Sequence, residues 1–442
     1  MIGRSLRANA HDREILRLAV PAFGALVAEP LFLLSDSAIV GHLGTAQLGG
    51  LGVAGQALAT LVYLCVFLAY GTTASVARQV GAGDVTGAIR QGIDGMWLAL
   101  ALGIALMAAG WPLAPWLVDA FGASDAVSPY AETYLKVSLV GLPGMLIVLA
   151  GTGVLRGLQD TRTPLLVSIG GFGLNLVLNL LFVLGFGWGI AGSAWGTVIA
   201  QTASGGVYVV MVLRAARRHG ASARPDIAGL IAAAGAGVNL ILRTAALRLV
   251  LIVATSVAAR MGDPEVAAYQ IGFQVWTLLV FALDAIAIAG QAITGRYLGA
   301  ADRTGTRQVT RRMIQWGVAC GIVFGIGILA VRPWLPGLFT SDDHVRDLLL
   351  GSLIIVALLQ PFAGVVFVLD GILIGAGDGA YLAWTTMIAT VAFLPAALLA
   401  YWWDAGLTGL WLAIGLWILA RLTTLGLRAR GDAWMVTGAV RR

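Results

Sequence analysis

The chain has 442 residues, 59% of them hydrophobic and only 11% charged, and its mean hydropathy is +0.88. A soluble domain carries roughly 25% charged residues, so a water-facing surface around one core is excluded. The net charge of +6 sits on arginines at the ends of apolar segments, with Lys136 the one lysine. That is the distribution of topology signals and leaves no patch for nucleic acid.

Apolar runs recur at the length needed to cross a bilayer, about 20 residues. The polar, basic start from Met1 to Arg13 precedes a run too long for a signal-peptide core, so an uncleaved first span is expected. The expected spans of the first half are Leu16 to Gly41, Leu48 to Ala74, Ile93 to Leu117, Val137 to Leu155, Leu165 to Phe186 and Ile190 to Val212. A polar segment with Arg214, Arg217, Arg218 and Arg224 follows. The second half continues with Asn239 to Ala259, Val266 to Gly290, Ile314 to Val331, Leu348 to Ile374, Tyr381 to Tyr401 and Leu407 to Leu425. This predicts an all-α polytopic membrane protein of twelve transmembrane helices. Its expected parts are a six-helix lobe over 1–213, a cytoplasmic linker over 214–232 and a second six-helix lobe over 233–442. Cys65 and Cys320 lie inside apolar runs, and His11, His42, His219 and His344 sit singly at segment ends. Neither a disulfide framework nor a metal site is spelled out.

Connections alternate in charge. One set holds Arg4, Arg7, Arg13, Arg78, Arg90, Arg156, Arg162, the Arg214 cluster, Arg296, Arg303, Arg307, Arg311, Arg312, Arg428 and Arg430. The other holds Asp119, Asp125, Asp263, Asp342, Asp343 and Asp404. Basic loops stay in the cytoplasm, which predicts a multi-pass protein of the cytoplasmic membrane with both termini inside. Six spans per half bring both halves in from the same side, so the halves should be parallel repeats.

The repeat is visible in the residues. At an offset of 218, Gly44 falls on Gly262, Gly81 and Asp84 on Gly299 and Asp302, and Gly87 on Gly305. Pro143 falls on Pro361, Gly157 on Gly375 and Asp160 on Asp378, while Gly189 and Gly192 meet Gly406 and Gly409 at 217. In a glycine-rich chain the Asp and Pro coincidences carry the argument. The loops Gly81–Asp84 and Gly299–Asp302 read as a glycine exit from one helix and an aspartate cap on the next. The acids do not follow the offset: Asp36 meets Ala254 and Asp370 meets Thr152.

Charge inside a span costs about 2.5 to 3.5 kcal/mol on insertion scales, so function is its default explanation. The first span carries Glu29 and Asp36 around Pro30, which should kink the helix. An acidic pair on a bendable helix suits a proton- or sodium-coupled element; a cap at the outer end is the competing reading for Asp36. Asn175 and Asn179 lie one turn apart in the fifth span, and Thr197 lies early in the sixth. With Asp36 they could make a Na⁺ site, or the amides could be interhelical glue. The second half adds Asp284 and Asp370, with Arg243 expected to snorkel and the deeper Arg248 expected to pair with either aspartate. Gln270, Gln274 and Trp276 are candidate lining residues of the same lobe, with Gln201 and Gln291 as further polar candidates.

The run Glu29-Pro-Leu-Phe-Leu-Leu-Ser-Asp36-Ser-Ala-Ile-Val-Gly-His-Leu-Gly44 resembles the first helix of multidrug and toxic compound extrusion (MATE) transporters of the DinF-like branch. Leu283 to Ala292, Leu369 to Asp378 and Leu155 to Thr161 resemble that branch too, and the likeness runs from about Ile15 to Arg428. The resemblance implies the MATE/MOP fold, a two-lobe antiporter with a V-shaped central cavity. It implies coupling to H⁺ or Na⁺ through Asp36, with Asn175, Asn179 and Thr197 as partners. Some relatives carry a second acid where this chain has Asn179; its absence shifts the expectation to the proton. Asp284 and Asp370 match acids of the second lobe in that branch.

The leading expectation is H⁺- or Na⁺-coupled efflux of cationic amphipathic compounds across the lipid bilayer by a monomer, with no cofactor and no nucleic-acid partner. Export of organic acids, with Arg243 and Arg248 at the cavity, is the alternative within the branch. A flippase of lipid-linked precursors would call for a strongly basic cavity. No nucleotide-binding loop or catalytic cluster is present in the sequence, so neither ATP drive nor an enzyme is expected.

Overall fold

The computed structural model describes residues 10–440, with the side chains of Ala10 and Glu29 outside that description. The expectations for Arg4 and Arg7, and for the Glu29 carboxylate, therefore fall outside the described residues. Every regular element among the described residues is helical. Among the described residues eleven helices are long and apolar enough to span a membrane, or twelve when one bent pair is counted as a span. Backbone polar groups have no water to bond in lipid, so helices that satisfy themselves are the form such segments take.

The first repeat begins with α1 (Ala10–Gly41), which contains Pro21 and Pro30, and α2 (Thr45–Leu64) followed by α3 (Phe67–Gly81). Next come α4 (Val85–Ala120), α5 (Ser128–Val140), α6 (Leu142–Gly157), α7 (Arg162–Asn179) and α8 (Gly189–His219). Helices α5 and α6 meet at Gly141 with a bend of 52°, and Pro143 lies in the first turn of α6. The second repeat comprises α9 (Ile227–Met261), α10 (Asp263–Gly299), α11 (Arg303–Val331), the short α12 (Leu335–Phe339), α13 (Asp343–Gly375), α14 (Gly379–Trp402) and α15 (Gly406–Arg430).

The local geometry repeats with the sequence. Asp84 and Asp302 each cap the following helix, accepting at 2.7 Å from the backbone N–H of Gly87 and of Gly305. The left-handed residue in each of these loops is Gly83 (φ 79) or Ala301 (φ 58), whereas Gly81 and Gly299 still end their helices. The glycine exit thus falls two residues later than the sequence suggests, and the second repeat makes it with an alanine. A Cβ on Gly103 would stand 2.5 Å from Pro143 Cα, and one on Gly321 2.6 Å from Pro361 Cα. These pairs are equivalent at the 218-residue offset, so the same two helices close to backbone contact in both repeats.

The chain divides into two compact units, Val20–Gly237 and Met1–Ala19 with Val238–Arg442. The expected linker over 214–232 is corrected accordingly. Helix α8 runs through to His219, closed by Gly220 in the left-handed conformation, and α9 already begins at Ile227. Between them Trp97 Nε1 donates to Ala223 O at 3.0 Å, and the Asp226 N–H donates to the buried Asp94 at 3.1 Å. These bonds tie the segment to the unit formed by the first repeat. The start of α1 belongs to the other unit, where Asp12 accepts from Arg312 Nε and Nη2 at 2.6 and 2.7 Å and from Trp316 at 2.8 Å.

Candidate functional site

Asp36 lies in the interior of α1, and its side chain is 2% exposed. It does not cap the helix. Asn179 Nδ2 donates to its Oδ1 at 2.5 Å, Ser193 Oγ donates to the same oxygen at 2.7 Å, and Tyr134 Oη reaches Oδ2 at 3.4 Å. A second tier stands behind them. Asn179 Nδ2 also donates to Asn175 Oδ1 at 3.1 Å, and Asn175 Nδ2 donates to Thr197 Oγ1 at 3.0 Å. All six side chains are buried.

The helices present these groups by simple spacing. Asn175 and Asn179 share a face of α7, and Ser193 and Thr197 share a face of α8, each pair one turn apart. Gly196 lies between the two α8 residues, and any Cβ there would collide with Asn179 Oδ1. A π-helical turn, Leu180–Gly185, begins directly after Asn179; such turns often stand beside functional positions. Burying a carboxylate among apolar helices is costly unless donors compensate it, and charge-assisted bonds are the strongest available. Because the three donors to Asp36 are neutral, its charge remains to be balanced by a proton or a bound cation.

The sequence pointed to Asp36, Asn175, Asn179 and Thr197, and the structure brings these four together. It did not point to Ser193 or Tyr134. Tyr134 precedes the expected start of the fourth span because Glu132 and Lys136 make that stretch read as a loop. These two residues pair with each other at 2.8 Å within α5, so their charges do not prevent a helix that begins at Ser128.

The second repeat gathers a different group. Asp370 on α13 accepts from Arg243 of α9 at 2.6 Å and from Arg421 of α15, and all three side chains are buried. Arg243 does not snorkel, and it stands beside Asp370 where Arg248 was the expected partner. The facing surfaces of α13 and α15, which bring Asp370 and Arg421 beside it, decide this. Arg421 was missed altogether, although it falls inside the expected twelfth span and was therefore legible as an intramembrane charge. Asp284 and Arg248 are half-buried on α10 and α9. Gln270 and Gln274 are exposed on α10, while Trp276 of the same helix is buried in an aromatic crevice. Among the described residues no group of three or more His, Cys, Asp or Glu side chains is placed to hold a metal.

The MatE family model matches residues 21–181 and 240–402, one stretch in each repeat. The chain belongs to the MatE family, the multidrug and toxic compound efflux transporters. It is thus a transporter and not an enzyme. It is 32% identical to Protein DETOXIFICATION 44, chloroplastic, of Arabidopsis thaliana, covering 92% of this chain and 80% of that one. It is 28% identical to the DNA damage-inducible protein F of Escherichia coli, covering 93% and 91%, and 27% identical to a probable multidrug resistance protein NorM of Thermotoga maritima, covering 93% and 90%. The fold matches a crystal structure of a MATE transporter in the bent conformation with TM-score 0.87 at 22% identity, covering 97% and 96% of the two chains. A MOP-superfamily transporter from Pyrococcus furiosus matches with TM-score 0.84, also at 22% identity, over 97% and 96%.

Proposed function

We propose that this MATE transporter is a secondary antiporter in which proton exchange at Asp36 drives export of small organic molecules. The observation that carries the reading is the Asp36 cluster, a fully buried carboxylate whose donors Asn179, Ser193 and Tyr134 are all neutral. Protonation removes the charge that these donors compensate, so gain and loss of the proton change what holds α1 to α5, α7 and α8. Sodium is the less favoured ion. The groups nearest the carboxylate present hydrogen-bond donors to it, whereas a Na⁺ site needs oxygens turned toward the ion.

Cationic amphipathic compounds are the leading substrate class, in keeping with the multidrug resistance name of the Thermotoga maritima relative. One observation favours organic acids as a second reading: Asp370 is held by both Arg243 and Arg421, so this acid is not left to balance a cationic substrate. The arginine distribution supports a location in the cytoplasmic membrane with both termini inside.

The test is transport in proteoliposomes with a pH gradient and a Na⁺ gradient imposed separately, using a fluorescent organic cation and, in parallel, a fluorescent carboxylate. Transport driven by the pH gradient alone is expected. Transport that follows neither gradient defeats the antiport reading.

A further inference from the structure

The helices that open the two repeats are each divided between the compact units, and at the same place. Residues of α1 up to Ala19 belong with the second repeat, and residues of α9 up to Gly237 belong with the first. Ala19 and Gly237 are equivalent at the 218-residue offset. The remainder of each helix lies with its own repeat and carries a buried charge, Asp36 on α1 and Arg243 on α9. Each opening helix therefore has its start in one unit and its buried charge in the other.

The grips on the two starts are equivalent as well. Asp94 of α4 meets the start of α9, Arg312 of α11 meets the start of α1, and the two residues coincide at the same offset. Their chemistry is opposite. Arg312 donates through Nε and Nη2 to the buried Asp12, and Arg296 pairs with Glu14 beside it. Asp94 instead accepts the Asp226 N–H, and a Cβ on Gly229 would stand 2.5 Å from its Oδ2. From Ile227 to Gly237 the start of α9 has no charged side chain. It meets the carboxylate with the positive end of the helix dipole and its backbone N–H groups. A tryptophan completes each grip, Trp316 donating to Asp12 and Trp97 to Ala223 O. The charges suit this exchange of starts and no other. Docked on its own repeat, α1 would bring Asp12 to Asp94, and α9 would bring Leu230, the equivalent of Asp12, to Arg312. Facing like charges and an unpaired buried charge both disfavour that arrangement.

We propose that Asp94 and Arg312 are positioning residues of the transport cycle, fastening the exchanged starts of α9 and α1 so that each helix carries movement of one unit to the buried charge of the other. A start released from its grip leaves the helix attached to one unit alone, and displacement of the other unit no longer reaches Asp36 or Arg243. The inference rests on the protein being a transporter and not on the ion that drives it.

The test joins hydrogen exchange of the full-length protein in lipid nanodiscs to efflux of a fluorescent organic cation from proteoliposomes. Arg312→Asp sets two acids face to face and is expected to raise exchange over residues 12–19 at least about tenfold, with 227–237 unchanged. Maximal efflux is expected to fall at least about fivefold at unchanged KM. Adding Asp12→Arg restores an oppositely charged pair and is expected to recover both readouts. At the other grip, Gly229→Ala drives a methyl into the Asp94 carboxylate; exchange should rise over 227–237 alone, and maximal efflux should fall likewise. Full efflux from a variant whose helix start has been freed overturns the proposal. So does a loss seen as a raised KM, or one that persists in the double variant after exchange over 12–19 has recovered. If Arg312→Asp does not fold, Trp316→Phe, which removes one donor to Asp12, is read in the same way. If Asp36 is not the coupling acid, Asp36→Asn keeps its efflux while the grip variants still lose theirs.

Discussion

The two repeats are alike where they are built and unlike where they do chemistry. Asp84 and Asp302 make the same cap at the same 2.7 Å distance, and Gly103 and Gly321 let the same prolines approach to the same degree. Yet the first repeat buries Asp36 among amides and hydroxyls, while the equivalent places in the second carry Ala254, Phe393, Ala397, Leu410 and Ile414. The reverse also holds. Arg243, Asp370 and Arg421 correspond to Ala25, Thr152 and Ser204 in the first repeat. Duplicated helices keep the residues that set backbone distance, because any change there propagates along the whole contact. A side chain in a pocket can be exchanged together with its few neighbours. The lobes have therefore diverged pocket by pocket inside a conserved frame.

The largest effect should come from the residue with no counterpart. Asp36→Asn keeps the shape of the side chain and removes the titrating group, and gradient-driven efflux in proteoliposomes is expected to fall at least about a hundredfold, to the level of empty vesicles. The exchange Asp36→Ala with Ala254→Asp should remain inactive, since the places of Asn175, Asn179, Ser193 and Thr197 carry Phe393, Ala397, Leu410 and Ile414, none of them polar; recovered transport would break the claimed asymmetry. Next in size is Arg421→Ala. It removes one of the two cations on a buried carboxylate, and breaking a buried pair costs about 3 to 5 kcal/mol, read as a lowered midpoint of thermal unfolding in detergent. Ser204→Ala at the matching place in the first repeat is expected to shift that midpoint little. Comparable losses at both positions would show that the Asp370 cluster is not what distinguishes the second lobe.

How far this asymmetry could be read from the residues depended on the kind of information each feature carries. Twelve spans, the repeat and the aspartate caps follow from hydropathy and from coincidences along the chain. Asp36 and Asn179 announced themselves as polar residues inside apolar helices. Ser193 and Tyr134 did not, because a hydroxyl in a span is common and the helix rotation that aims it at a carboxylate leaves no trace in composition. Arg243 shows the same gap from the other side. Its depth suggested a snorkelling residue, and only the facing surfaces of α13 and α15 turn it inward to Asp370. Hydropathy gives depth in the bilayer, whereas partners are set by azimuth, and azimuth is decided by packing among helices distant in sequence.

The shared frame yields smaller effects that should come in matched pairs. Gly103→Ala and Gly321→Ala each drive a Cβ into a proline backbone at about the same distance, and overpacking of this kind costs about 1 to 3 kcal/mol. The two midpoints of thermal unfolding should fall together, and a loss at one site alone would mean that the repeats differ in their packing as well as in their pockets.

The smallest pair is the most exacting. Asp84→Ala and Asp302→Ala remove caps that are exposed, so no change in burial confuses the result, and each should cost about 1 kcal/mol. Asp302 precedes a helix start with the additional Thr306 hydroxyl bond to its carbonyl, at 2.7 Å, which survives the substitution. The two variants should therefore agree to within a few tenths of a kcal/mol in thermal unfolding, while both retain the gradient-driven efflux of the parent. Asparagine at either position should restore most of the loss, because its side-chain oxygen can accept the same backbone N–H. If alanine at one loop impairs transport while leaving stability unchanged, that loop has taken on a role in the transport cycle that its twin lacks, and the divergence of the two repeats reaches beyond their pockets into the frame itself.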